Sequence, residues 1–317
     1  MSISLFDLHA DTAYALLGRD LNEYKDLSHN DCHIALDRLA NISTYVQCFA
    51  CYTNPLTQLP QGLSPKNVLE LEYQGLLTQI AKHSDRIRLA QTCADILRNK
   101  EDAVASAVLT LEGTAGFDYD PMHLETLWQK GFRIVSLGWN ERNCLTGSHC
   151  TGGGLTDRGR EFVLEAQRVG MLIDVSHISD QGFWDIMEIT QAPIIATHSN
   201  SRAVCDVSRN LTDDMFCAIC QTDGVVGINL FTDFIGAPAS FDKIREHLFH
   251  FLELDPAGVH LALGGDLDGC EKLPVGFDGV QSYGSLYKYL QDSGLNTDFC
   301  DKLFWNNAMG VFERCFI

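Results

Sequence analysis

The chain has 317 residues, 45% hydrophobic and 21% charged, an ordinary globular composition with enough apolar residues for a large core. Its 42 acidic residues against 23 basic give a net charge of -19, which argues against nucleic acid as a partner and suits a well-solvated surface or a cleft that draws cations. No apolar run reaches membrane-span length, and the start MSISLFDLHADT has no basic segment or long apolar stretch, so a cytoplasmic protein with no membrane partner is expected.

The predicted elements alternate along the chain. ISLFDLH (3–9) reads as the first strand and STYVQCFACY (43–52) as the second. Ser64-Pro65 opens a helix running to about 83, with proline in the first helical position. IRLAQ (87–91) is a short strand candidate, and Thr92 caps a short helix to about 99. AVASAVLTLE (103–112) and FRIVSLGW (132–139) are strands flanking a helix at 121–130. Residues 140–155, with a glycine triplet, read as a flexible loop over a cleft; no Lys-Ser/Thr follows, as a phosphate loop would require. Strands MLIDVSH (171–177), PIIATH (193–198), GVVGINLF (224–231) and VHLALGGD (259–266) then alternate with helices at 156–169, 179–190, 213–222 and 241–254. A last helix covers 297–314, and Gly131, Gly170 and Gly224 stand where helices should stop.

Several strands are continuous apolar runs, which suits parallel strands covered on both faces. About eight β/α repeats in one chain predict a single-domain (β/α)₈ barrel over 1–317. An open doubly wound sheet is the other arrangement, but no glycine fingerprint follows the first strand.

The carboxyl-terminal ends of these strands carry metal-ligand residue types: His9 and Asp11 on the first, then Glu112, His177, His198 and Asp266. In a barrel such ends share one mouth. His9 and Asp11 are two apart, so an extended strand puts both on one face. Imidazole and carboxylate suit zinc and similar divalent ions, and a carboxylate can bridge two of them. Each residue alone has a plain structural alternative, such as a turn or a satisfied strand end, and Asp268 competes with Asp266. The joint placement singles them out. Other histidines lie elsewhere: His247 and His250 share a face of an outer helix and read as packing, while His149 lies in the mouth-side loop. The 12 cysteines read as free thiols. Cys48 and Cys51 fall on opposite faces of a strand, and Cys217 and Cys220 on a helix read as core.

At DLHADT (7–12), LTLEG (109–113), 154–179, 193–215, LGGDLDG (263–269) and FWNNAMGVFERCF (304–316), the chain resembles the membrane dipeptidase family, peptidase family M19, and within it a soluble bacterial type. The resemblance covers essentially the whole chain. It implies a metal-dependent amidohydrolase barrel with two zinc ions, a dipeptide substrate (L-Xaa-D-Xaa included), a hydroxide shared by the ions, and commonly a homodimer. By resemblance His9 and Asp11 would hold one ion, His177 and His198 the other, and Glu112 would bridge. Asp266 would be the general base, touching a metal, and Arg209 would take the substrate carboxylate. The chain departs from the pattern at Trp139, where well-known members present a substrate-contacting histidine, and at Phe231, where they have tyrosine. Trp139 and the neighbouring Asn140 are therefore candidate substrate contacts. Two other readings stay open: another amidohydrolase reaction (N-acyl, lactone or deaminase chemistry), or a metal-containing binding protein without turnover.

Overall fold

The computed structural model describes residues 2–17, 23–52 and 62–316. Its strands are β1 (Ile3–Ala10), β2 (Ile42–Tyr52), β3 (Ile87–Leu89), β4 (Ala105–Glu112), β5 (Phe132–Ser136), β6 (Leu172–Asp174), β7 (Ile194–Ile195), β8 (Val226–Ile228) and β9 (Leu261–Leu263). All pair in parallel, in the order β7-β6-β5-β4-β2-β1-β9-β8, with β3 on β4. A bridge between Ala196 and Val226 joins the two outer members and closes the ring. This is the expected (β/α)₈ barrel. The short strand at 87–91 also forms, but outside the ring. β3 takes the edge of β4 at Ala105–Ala107, and β5 takes the same edge higher up at Leu109–Leu111.

Burial explains the continuous apolar runs: every residue of β4 is buried. Alternate strand residues face inward, among them Phe6, Leu8, Val46, Val108 and Ile134, and form one cluster. Trp305 and Phe312 pack their rings on Phe6, near the start of β1. The other faces meet the outer helices, and those expected from 64, 92, 156, 179 and 213 begin at Pro65, Cys93, Asp157, Asp180 and Asp213. Ser64, Thr92, Thr156, Ser179 and Thr212 each accept a hydrogen bond from a backbone N–H of the first turn. Gly170 ends the helix Asp157–Val169 at φ 92. After the helix Asp213–Gln221, Asp223 and not Gly224 takes the left-handed turn. The last helix is continuous but changes pitch, with a π segment at Lys302–Asn306. A helix at Tyr283–Asp292 was not expected.

Strand β1 holds an irregularity that matters for the site. Asp7 pairs with Gln47 and Ala10 with Phe49, so β1 spends three steps where β2 spends two. This is a β-bulge. On an unbroken strand His9 would share the face of Asp7. Asp7 points outward, where the Tyr283 hydroxyl donates to it. The extra residue turns His9 inward.

The upper rim of β7, β8 and β9 is tight. A Cβ on Gly264 would lie 1.7 Å from the Thr197 carbonyl oxygen, and one on Gly227 would lie 2.0 Å from it. Gly264→Ala is therefore expected to destabilise the fold by about 3 kcal/mol or more, the upper end of overpacking costs. A urea midpoint within error of the parent chain would contradict this close approach.

Candidate metal centre

The strand-end residues converge, but four of them lie beyond the strands. His9 is in β1, Asp11 follows it, and Glu112 ends β4. His177, His198 and Asp266 follow β6, β7 and β9, which end at Asp174, Ile195 and Leu263. They sit on the loops, where His177 (φ 69) and Asp266 (φ 55) adopt the left-handed region, uncommon for residues with side chains.

Glu112 is the hub. Its Oε1 lies 2.9 Å from His177 Nε2 and 3.4 Å from His198 Nε2, while its Oε2 lies 3.7 Å from His9 Nε2. His9 Nε2 is also 3.7 Å from Asp11 Oδ2 and 3.9 Å from Asp266 Oδ1. The His9 and His198 rings stack with centroids 3.7 Å apart. Two triads have ligand atoms mutually within 4.8 Å: His9, Glu112 and His198, and His9, Asp11 and Asp266. All six residues are buried or nearly so.

The arrangement fits cations. His9 Nε2 and Asp11 Oδ1 are buried without a hydrogen-bond partner, a costly state for polar atoms in a protein interior. The Nε2 atoms of His177 and His198 face each other at 3.0 Å, while their Nδ1 atoms are engaged by Asn140 Oδ1 at 2.9 Å and Thr197 Oγ1 at 2.7 Å. An amide oxygen only accepts, so Asn140 places the proton of His177 on Nδ1 and leaves Nε2 bare. A bare nitrogen so placed is a ligand awaiting a positive charge.

Electrostatics point the same way. Burial, then the Asp11 charge, hold Glu112 well above the usual carboxylate range. Burial, then Asp11, push Asp266 up to about 7. Burial opposes the charged form of His9, but Glu112, Asp11 and Asp266 outweigh it and lift its pKa to about 10. Burial drives His177 and His198 well below their ordinary value. His177 and His198 are thereby kept neutral, the state in which imidazole binds metal, whereas His9 and the crowded carboxylates hold their protons more tightly than usual, so a cation entering the site would displace protons.

A cavity of about 460 Å³ opens over these groups, walled by Tyr14, Tyr52, Trp139, Phe231 and Phe234, with Asp268 at its edge. Trp139 packs edge-on against Tyr52, ring centroids 5.1 Å apart. Asn140 lines the cavity too, but its Oδ1 is shared between His177 Nδ1 and His149 Nε2. Arg209 is buried behind this wall. Its Nη1 donates to Ser199 Oγ and its Nη2 to the His198 carbonyl, while Nε has no partner. The guanidinium carbon lies 5.5 Å from the centre of the Phe234 ring.

Sequence reasoning missed some members. Asn229 donates to Asp266 Oδ2 at 3.0 Å, and Asp7 and Asp174 brace the loops from below. The last two had a signal: an acid inside an apolar strand must find donors. The loop 140–155 is tied down, with Arg142 Nη2 donating to the Gly152 carbonyl and Ser179 Oγ to that of Gly153. His247 and His250 do not form a pair: His247 bonds the Ile235 carbonyl and the Ser201 N–H, and His250 bonds Asp213. All 12 cysteines are free; Cys48 joins the inner cluster and Cys51 the outer one.

Comparison with known proteins agrees with this geometry. The sequence model of the membrane dipeptidase family (peptidase family M19) matches residues 1–315. A Klebsiella pneumoniae protein encoded in the pqqA 5′ region, itself uncharacterized, is 34% identical over 79% of this chain and 98% of its own. An uncharacterized dipeptidase of Schizosaccharomyces pombe is 30% identical over 81% of this chain and 62% of its own length. Among solved structures, a metallopeptidase from Rhodobacter sphaeroides, liganded with a phosphinate mimic of the dipeptide L-Ala-D-Ala, superposes over the full length of both chains with a TM-score of 0.88 and 25% identity. The dipeptidase AC, a metallopeptidase of family M19, gives a TM-score of 0.88 and 26% identity over 100% of this chain and 99% of its own. Within the described residues no helix is long and apolar enough to cross a membrane. The chain belongs to the membrane dipeptidase family, peptidase family M19, and is a hydrolase acting on dipeptides.

Proposed function

We propose that this hydrolase is a binuclear zinc dipeptidase. One observation carries the reading: the two oxygens of Glu112 face different ligand sets, Oε1 toward His177 and His198, and Oε2 toward His9. Glu112 would then bridge, with His9 and Asp11 on one ion and His177 and His198 on the other. Two zinc ions so held would polarise a scissile carbonyl and lower the pKa of a water to about 7. Asp266 is the proton carrier. Asn229 orients its Oδ2, and its Oδ1 lies toward His9, so it can take a proton from the attacking water and deliver it to the leaving amine.

Arg209 is the partner proposed for the substrate carboxylate, because its fork matches two carboxylate oxygens and its Nε is an unused donor. Trp139 and Asn140 line the space for the rest of the dipeptide. The L-Ala-D-Ala mimic bound by the Rhodobacter sphaeroides protein supports extending the substrate class to L-Xaa-D-Xaa dipeptides. A cytoplasmic enzyme acting on small peptides completes the proposal, and the net charge of -19 is consistent with a partner list without nucleic acid.

A dipeptide panel tests this. L-L and L-D dipeptides should be cleaved, N-acyl amino acids and lactones spared, and a chelator should abolish the activity until zinc is returned. Dipeptide cleavage that survives complete metal removal would refute the metal-dependent reading.

A further inference from the structure

His177 and His198 have their Nδ1 atoms held in different ways. For His177 the partner is an amide oxygen. For His198 it is a hydroxyl, and a hydroxyl can either give or receive a proton. What decides the direction lies one step further out. Thr197 Oγ1 is 2.7 Å from His198 Nδ1 and 2.6 Å from Asp174 Oδ2. Asp174 is the last residue of β6 and is buried, as are Thr197 and His198. Its Oδ1 also accepts the backbone N–H groups of Ser176 and Thr197, each at 2.9 Å. Ser176 Oγ, at 3.5 Å from Thr197 Oγ1, is too distant to compete.

A carboxylate offers only acceptors. The single proton of Thr197 therefore points to Asp174. The Thr197 oxygen is left to accept from His198, whose ring proton then sits on Nδ1. That leaves His198 Nε2 bare, toward Glu112 Oε1 at 3.4 Å and His177 Nε2 at 3.0 Å. We propose that Asp174 is a positioning residue: through the Thr197 hydroxyl it fixes the Nδ1–H tautomer of His198 and keeps Nε2 free to bind metal. The proposal rests on the metal-centre reading above for its last step only.

The relay has a polarity that one substitution reverses. In Asp174→Asn the amide oxygen can keep the two backbone N–H groups, and the amide nitrogen then replaces Oδ2. It donates to Thr197 Oγ1, whose proton must turn to His198 Nδ1. The ring proton of His198 moves to Nε2, and a protonated nitrogen cannot bind metal. The change swaps one atom type for another at nearly constant shape.

The experiment uses the full chain, first metal-free, with ¹⁵N-labelled histidine. Two-bond ¹H–¹⁵N imidazole spectra should show His198 as the Nδ1–H tautomer in the parent and as Nε2–H in D174N. Zinc titration should show one of two sites weakened about 10–100-fold in D174N and in Thr197→Val, with Thr197→Ser within about twofold of the parent. Should D174N fail to fold, the Thr197→Val and Thr197→Ser pair decides alone, since only serine keeps the hydroxyl. An Nδ1–H signal for His198 in D174N, or parental zinc affinity in Thr197→Val, overturns the proposal. A parent chain that binds no zinc would instead overturn the metal-centre reading, while the tautomer spectra still judge the relay.

Discussion

Glu112→Gln is expected to uncouple metal binding from folding. Glutamine keeps the shape but replaces one acceptor oxygen by a donor and removes the charge. Both faces of Glu112 are in use, so one of them must meet the wrong group. Zinc affinity should fall by more than the roughly 10–100-fold that loss of an outer partner costs. Turnover should fall by about three orders of magnitude, since metal stabilisation of a transition state is worth several kcal/mol. Stability should move differently. In the metal-free chain burial and the Asp11 charge already disfavour a charge on Glu112, so a neutral glutamine in its place costs the fold little. The metal-free variant should melt at or above the parent temperature, whereas saturating zinc should stabilise only the parent appreciably, by an amount set by linkage. Calorimetry with and without zinc reads both effects. A variant that binds two ions like the parent would remove Glu112 from the bridging role.

Asp266→Asn should separate chemistry from binding. Loss of a general base costs on the order of 10²–10⁴ in kcat. Metal content by elemental analysis should stay near that of the parent, because the His9–Asp11 and His177–His198 pairs and Glu112 remain. Normal turnover would end the proton-carrier assignment. The substitution also has a pH signature without metal. Asp266 is raised by burial, then Asp11, to about 7. The folded chain thus holds this proton more tightly than the unfolded chain. Its contribution to stability is present at low pH and is lost as pH rises through about 7. The metal-free variant lacks that contribution, so its melting temperature should fall less over this range.

The barrel was legible because parallel strands buried on both faces are written as unbroken apolar runs, and because Ser and Thr at helix starts are local signals. The six candidate ligands were legible as residue types in a shared position. Where their backbone goes was not. MLIDVSH reads as one strand because Val175 resumes the apolar run after Asp174, yet β6 stops at Asp174, and nothing in composition announces a left-handed histidine at 177. The helix Tyr283–Asp292 did have helical spacing, since Tyr283, Leu286, Tyr287 and Leu290 are its buried residues. Gly284 and the aromatic residues masked it. For Asn140 the resemblance pointed to substrate, while the structure shows its oxygen on His177, a contact between residues 37 apart that no local pattern encodes.

The bulge in β1 has a consequence for how this stretch can vary. One strand serves the outside of the wall through Asp7 and the inside through His9, and the extra residue between them performs the exchange. What is constrained at 7–11 is therefore a count as much as a set of identities. A substitution at Leu8 or Ala10 alters packing by degrees. With the bulge kept, a single-residue insertion between Asp7 and His9 would turn the imidazole away from the interior of the barrel and into the helical shell.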